Sequence, residues 1–117
     1  MKKLMICLAL CALGAGTNAF AVTIVGGAPC GTWMLDRANK NDDWPAQSNM
    51  NWLVGYLSGL SMGFNLEALA GAKNESLALW MDNYCKANPL NFVADGALKL
   101  FLELVKSKQV ASPPPKK

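Results

Sequence analysis

The stretch WMDNYCKANP, Trp80 to Pro89, carries the feature that most constrains this chain. Leu77, Trp80, Met81, Tyr84 and Cys85 fall at i, i+3, i+4, i+7 and i+8, the apolar stripe of an amphipathic helix. Cys85 therefore belongs to the buried face. Beyond residue 21 the only other cysteine is Cys30. A single pair in an exported chain reads as a disulfide, and with two cysteines only one intramolecular pairing exists. The bridge would close a loop of roughly 55 residues, worth about 4 kcal/mol in the chain-entropy account. That is comparable to the net stability of a domain this small.

Export is read from the first residues, MKKLMICLALCALGAGTNAFA. Lys2 and Lys3 precede an apolar run from Leu4 to Leu13, and the segment ends in the small-residue pattern Ala19-Phe20-Ala21. This is a secretory signal peptide over residues 1–21, too short in its apolar run to span a bilayer. Cys7 and Cys11 follow Ile6 and Leu10, where lipid attachment needs a small residue, and they leave with the leader. The mature chain then begins at Val22. Losing two of the 11 basic side chains against 8 acidic ones leaves it nearly neutral, without the basic stripe of a nucleic-acid binder. The expected location is periplasmic or secreted. The other end, residues 108–117, reads as a disordered tail of prolines and lysines.

Between these ends, residues 22–107 read as one all-α domain, a small bundle of three to four helices. No segment has β alternation or hairpin turns. A short helix is expected over Thr32 to Asn39, with Trp33 and Met34 inward. Trp44-Pro45 interrupts a polar turn. The central helix is expected over Gln47 to Phe64, with Leu53, Tyr56, Leu57, Leu60 and Phe64 as its apolar stripe. Gly55, Gly59 and Gly63 form a second stripe at four-residue spacing. A glycine inside a helix costs about 1 kcal/mol relative to alanine, so three on one face imply something packed close against it. That is either a neighbouring helix of the same domain or a second molecule. Two further helices are expected, Glu75 to Lys86 and Pro89 to Ser107. Asn74 or Ser76 would cap the first, Asn88-Pro89 would open the second, and Lys99 and Glu103 would pair at i, i+4.

The chemistry is bounded by what is missing. The chain has no histidine, which removes the usual general base, the Ser-His and Cys-His arrangements and most zinc sites. Asp82, Asp95 and Glu103 read as solvated helix residues, and Asp42-Asp43 lacks the ligand spacing of a calcium loop. No catalytic residue, metal or other cofactor is expected, and a non-enzymatic binding protein is the reading. Trp44, in a polar loop, is the candidate exposed contact, and Trp52 flanks the central stripe.

Cys30-Gly-Thr-Trp, then Asn51-Trp-Leu-Val-Gly-Tyr-Leu-Ser-Gly, then Tyr84-Cys85-Lys-Ala-Asn-Pro resembles the HdeA/HdeB family over about Pro29 to Lys106. The resemblance implies a small helical periplasmic chaperone that binds unfolding proteins in acid, a homodimer near neutral pH that opens on acidification. It would make Cys30 and Cys85 the family disulfide. Trp52, Gly55, Tyr56 and Gly59 would belong to the central helix that contributes to self-association. The chain is also similar to the Tai-type immunity proteins of type VI secretion, which plug the active site of an incoming toxin. The expected partner is a protein in either case: unfolded clients, a second copy, or one specific toxin. Trp44 and Gly63 join Trp52, Gly55, Tyr56 and Gly59 as the candidate surface.

Overall fold

A computed structural model of the chain describes residues 22–111. The leader expected over residues 1–21 and residues 112–117 of the expected tail lie outside those residues. Four helices follow in order: α1 Cys30–Ala38, α2 Trp44–Phe64, α3 Asn74–Ala87 and α4 Val93–Ala111. The described residues contain no strand, only an isolated antiparallel bridge between Pro29 and Phe92. The all-α bundle expected from the sequence is the fold. None of these helices is long and apolar enough to cross a membrane.

The core forms where the four helices converge. Trp33 of α1, Leu53 and Leu57 of α2, Met81 and Cys85 of α3, and Val93 and Ala97 of α4 are all fully or almost fully buried. These are the inward positions of the periodic stripes, and Tyr84, Leu100 and Phe101 join them. Trp80, expected inside, is only half-buried; its indole Nε1–H donates to Glu103 at 2.8 Å. Gly96 has a specific packing role. A Cβ there would stand 2.5 Å from Tyr84 Cδ1 and 2.8 Å from Met81 Sδ, so α3 and α4 approach as closely as they do because residue 96 has no side chain. Trp80 and Tyr84 stack at 5.6 Å, and the Lys99 ammonium lies 5.3 Å from the Tyr84 ring centre. Lys99 and Glu103 thus engage aromatic groups of α3 and do not pair with each other.

The bond between Cys30 and Cys85 is formed, with Cα atoms 4.9 Å apart and both residues fully buried. It joins the first residue of α1 to the last turn of α3. Two backbone hydrogen bonds extend the junction to α4: Cys30 N–H donates to Asn91 O at 2.8 Å and Val93 N–H to Ala28 O at 2.9 Å.

Several boundaries differ from the sequence expectation. Trp44-Pro45 begins α2 and does not interrupt the preceding turn, because proline fits the first helical turn, where its missing N–H has no partner to lose. Asp42 Oδ1 accepts the Trp44 N–H at 3.0 Å. Asn88-Pro89 does not open α4. Asn88 closes α3 with its backbone and side-chain N–H groups on Tyr84 O, and α4 starts at Val93, where Asp95 Oδ2 accepts the Phe92 N–H. Neither Asn74 nor Ser76 caps α3; Lys73 occupies the cap position without a side-chain bond. At its far end α4 continues through Ala111, so residues 108–111, expected in the tail, are helical. Nothing in KSKQVA breaks a helix before Pro113.

Two stability measurements check this frame. Replacing both Cys30 and Cys85 with serine or alanine is expected to lower stability by about 4 kcal/mol in urea unfolding. Gly96→Ala is expected to cost about 1–3 kcal/mol despite alanine's better helix propensity, with a changed near-ultraviolet signal from the displaced Tyr84 ring.

Candidate functional site

Helix α2 contains no Asp, Glu, Lys, Arg or His over its 21 residues. Its inward stripe feeds the core. At 100° per residue the opposite side is Trp44, Ser48, Asn51, Gly55, Gly59 and Met62, with Gly63 beside them. Trp44 is 72% exposed and Met62 83% exposed, about 27 Å apart along the axis. Between them the surface is floored by glycine.

The glycine stripe does not pack against another helix of the domain. Apart from each glycine's chain neighbours and the α2 backbone itself, no heavy atom of the described residues lies within 4 Å of where a Cβ would stand on Gly55, Gly59 or Gly63, and all three are exposed. Of the two readings the spacing allowed, close packing inside the domain is overturned. The physical reason is that α2 reaches its neighbours through larger side chains on its other side, with Leu53 and Leu57 buried and Leu60 half-buried.

One flank of this face carries an aromatic shelf. Trp52 and Tyr56, one turn apart, stack at 5.1 Å with their planes 11° from parallel. The segment Val22 to Gly27 crosses the shelf as a strap. Trp52 Nε1–H donates to Val25 O at 2.8 Å. Gly26, at φ +87°, and Gly27 lie on the indole so closely that a Cβ on either would come within 2.9 Å of it. Strap and shelf enclose an open groove of 570 Å³ whose walls include Val22, Ile24, Trp52, Gly55, Tyr56 and Leu60.

The structure therefore gathers all six surface residues nominated from sequence on one side of α2, with Trp44 at its N-terminal end and Gly63 at the other. The strap was not foreseen as part of the site. Its available signal was Gly26-Gly27 followed by the anchored Cys30, a flexible pair just ahead of a fixed point.

A charged clasp lies on another face of the bundle, where α1 meets α3. Asp82 was expected to be a solvated helix residue. Instead Arg37 holds it with two hydrogen bonds, Nε to Oδ1 at 2.9 Å and Nη2 to Oδ2 at 2.7 Å, and the buried Trp33 Nε1–H donates to Oδ1 at 2.7 Å. Burial pushes the Asp82 carboxyl up. The hydrogen bonds from Arg37 and Trp33, with the guanidinium charge, outweigh it and hold the group below its ordinary value of 3.8. The same contact raises Arg37. Nearby, Asn49 Nδ2–H donates to Asp36 Oδ2 at 2.7 Å and ties α1 to α2. Among the described residues no group of three or more His, Cys, Asp or Glu could hold a metal ion.

Comparison with family models, curated proteins and solved structures finds no match to this chain.

The clasp sets a pH dependence whose sign follows from linkage. Asp82 binds its proton more weakly folded than unfolded, so its contribution is fully present above the unfolded value, near pH 4, and is lost as pH falls through the lower folded value. Urea unfolding of the oxidised protein from pH 7 to pH 2 is expected to show this loss beginning near pH 4. Asp82→Asn should remove that part of the pH dependence. Asp82→Ala should cost about 2 kcal/mol at pH 7, because it also leaves the Trp33 indole N–H buried without an acceptor.

Proposed function

We propose that this chain is a non-enzymatic protein-binding module that works through the uncharged outer face of α2, in the manner of an HdeA-like acid-stress chaperone exported to the periplasm. The observation that carries the reading is the exposure of Gly55, Gly59 and Gly63. Each glycine weakens the helix, and no neighbour within the domain needs the space it leaves. A partner that approaches the α2 backbone closely would need it. Trp44, Trp52, Tyr56 and Met62 border the glycine floor and offer large apolar contacts of the kind that dominate protein interfaces.

At neutral pH the occupant of this face is a second copy, in a homodimer. Acid supplies the release. The mature chain is nearly neutral, with 8 acidic side chains in all; strong acid removes carboxylate charge and leaves the basic side chains unopposed. The Asp82 clasp loosens in the same range while the disulfide keeps α1 on α3. The face then becomes available to unfolding clients.

The test is the pair Gly55→Ala and Gly59→Ala. Each substitution is expected to stabilise the folded monomer by up to about 1 kcal/mol, since no described atom obstructs the added methyl. Each should weaken self-association at pH 7 in sedimentation and reduce suppression of aggregation of an acid-unfolded test protein at pH 2.5. Wild-type protein that neither dimerises nor suppresses aggregation would overturn the chaperone reading. Stoichiometric capture of one folded toxin by the same face, with Trp44→Ala weakening it, would then favour an immunity protein.

A further inference from the structure

The strap that walls the α2 groove also walls a second cavity. This cavity, of 290 Å³, is lined by Val22, Ile24, Gly27, Phe92, Ala94 and Asp95, where the strap meets the start of α4. Asp95 supplies its only carboxylate. Asp95 Oδ2 accepts the Phe92 N–H at 3.1 Å, and Oδ1 accepts no hydrogen bond from the described residues. Val22, which lines the same cavity, is the residue at which the leader reading places the mature N-terminus.

We propose that removal of the leader after Ala21 creates at Val22 an α-ammonium group that pairs with Asp95 across this cavity and locks the strap onto Trp52. The inference rests on the leader reading and deepens the proposed function, because the lock sets one wall of the groove at Gly55 and Tyr56. Hydrolysis of the Ala21–Val22 bond by a leader peptidase consumes one water. The carboxylate stays on Ala21, and the amine left on Val22 takes up a proton. Before cleavage the Val22 nitrogen is a neutral amide with nothing to offer a carboxylate. Afterwards it is a cation at neutral pH, since an α-amine titrates near 7.7–8.0.

The charges around the pair are few. The start of α4 presents its partial positive end, which opposes the ammonium. Asp95 is the group that reverses that sign. Lys99, one turn further, is turned to the Tyr84 ring on α3, and α2 contributes no charged side chain, only the neutral phenol of Tyr56. The strap has little else to hold it beyond Gly27. Val22 and Val25 are largely exposed, and among the described residues the Trp52–Val25 hydrogen bond is the one polar contact of residues 22–27.

The Trp52 indole N–H reports strap opening directly, because opening breaks its bond to Val25 O. Its solvent exchange, followed by NMR and assigned with Trp52→Phe, is compared in oxidised protein with a free α-amine at Val22 (the Val22 form) and in the same protein with that amine acetylated, which leaves a neutral amide. Exchange is expected to be about fivefold slower in the Val22 form, near the upper end for a solvent-accessible pair. Asp95→Asn keeps a cap for Phe92 N–H and should abolish the difference between the two forms. Equal exchange in both forms, or a difference that survives Asp95→Asn, would overturn the lock. Intact mass of the exported protein is the separate check on the leader reading, and a natural N-terminus other than Val22 would overturn the maturation step on its own. A failed lock with a working α2 face, or the reverse, separates this inference from the proposed function.

Discussion

The Cys30–Cys85 bond is the constraint on which the remaining architecture depends. α1 has only nine residues, too few for a stable helix by itself. It is held at both ends against α3: at its first residue by the bridge, and in its later turns by Trp33 and Arg37 on Asp82. The same junction draws in the start of α4 through Cys30 N–H on Asn91 O and Val93 N–H on Ala28 O. The segment at residues 28–30 thus meets the end of α3 and the start of α4 at one corner, through one covalent bond and two hydrogen bonds. The bond removes freedom mainly from the unfolded chain, which is where a domain with so small a core has most to gain.

With that corner fixed, the fold sorts its charges. Arg37 and Asp82 face each other between α1 and α3. Lys99 and Glu103 lean from α4 onto Tyr84 and Trp80 of α3. Three indole N–H groups find acceptors, on Asp82, Val25 O and Glu103, so Trp33, Trp52 and Trp80 contribute apolar area without an unmet donor. α2 carries no charge of its own and enters this pattern only through Asn49, which donates to Asp36. Its inner side is leucine and its outer side is glycine, serine and asparagine, flanked by Trp52 and Tyr56.

The legible parts of this arrangement were those written as side-chain periodicity. Leu77, Met81, Tyr84 and Cys85 on α3, and Val93, Ala97, Leu100 and Phe101 on α4, repeat at helical spacing and are buried. The cysteine pair was legible by elimination. The residues nominated on α2 share one side of the helix, but the direction that side faces was not legible. Glycine has no side chain, so its spacing identifies a face without saying whether that face meets a neighbour or solvent. Asp82 was missed because Arg37 lies 45 residues away, and nothing local distinguishes a clasped carboxylate from a solvated one. Trp44-Pro45 and Asn88-Pro89 misled in opposite directions, since proline can open a helix or merely follow one. The flanking hydrogen bonds decide which, and they are tertiary.

The energetics connect the bridge to the glycine face. Three exposed helix glycines cost up to about 3 kcal/mol relative to alanine, less for Gly63 near the end of α2. The disulfide contributes about 4 kcal/mol by restricting a loop of 55 residues. Two terms of similar size and opposite sign therefore dominate a domain whose net stability is of the same order. Replacing the glycines would stabilise the monomer at no steric cost within the described residues. The mechanism proposed for α2 turns that imbalance into its physical logic: the covalent frame carries the stability, and the helix facing outward is left free to be shaped for a close contact. If the contact is to break in acid, the frame has to survive the loss of its carboxylate interactions. A disulfide, which does not titrate, is suited to that, whereas a clasp built on Asp82 is the part that yields.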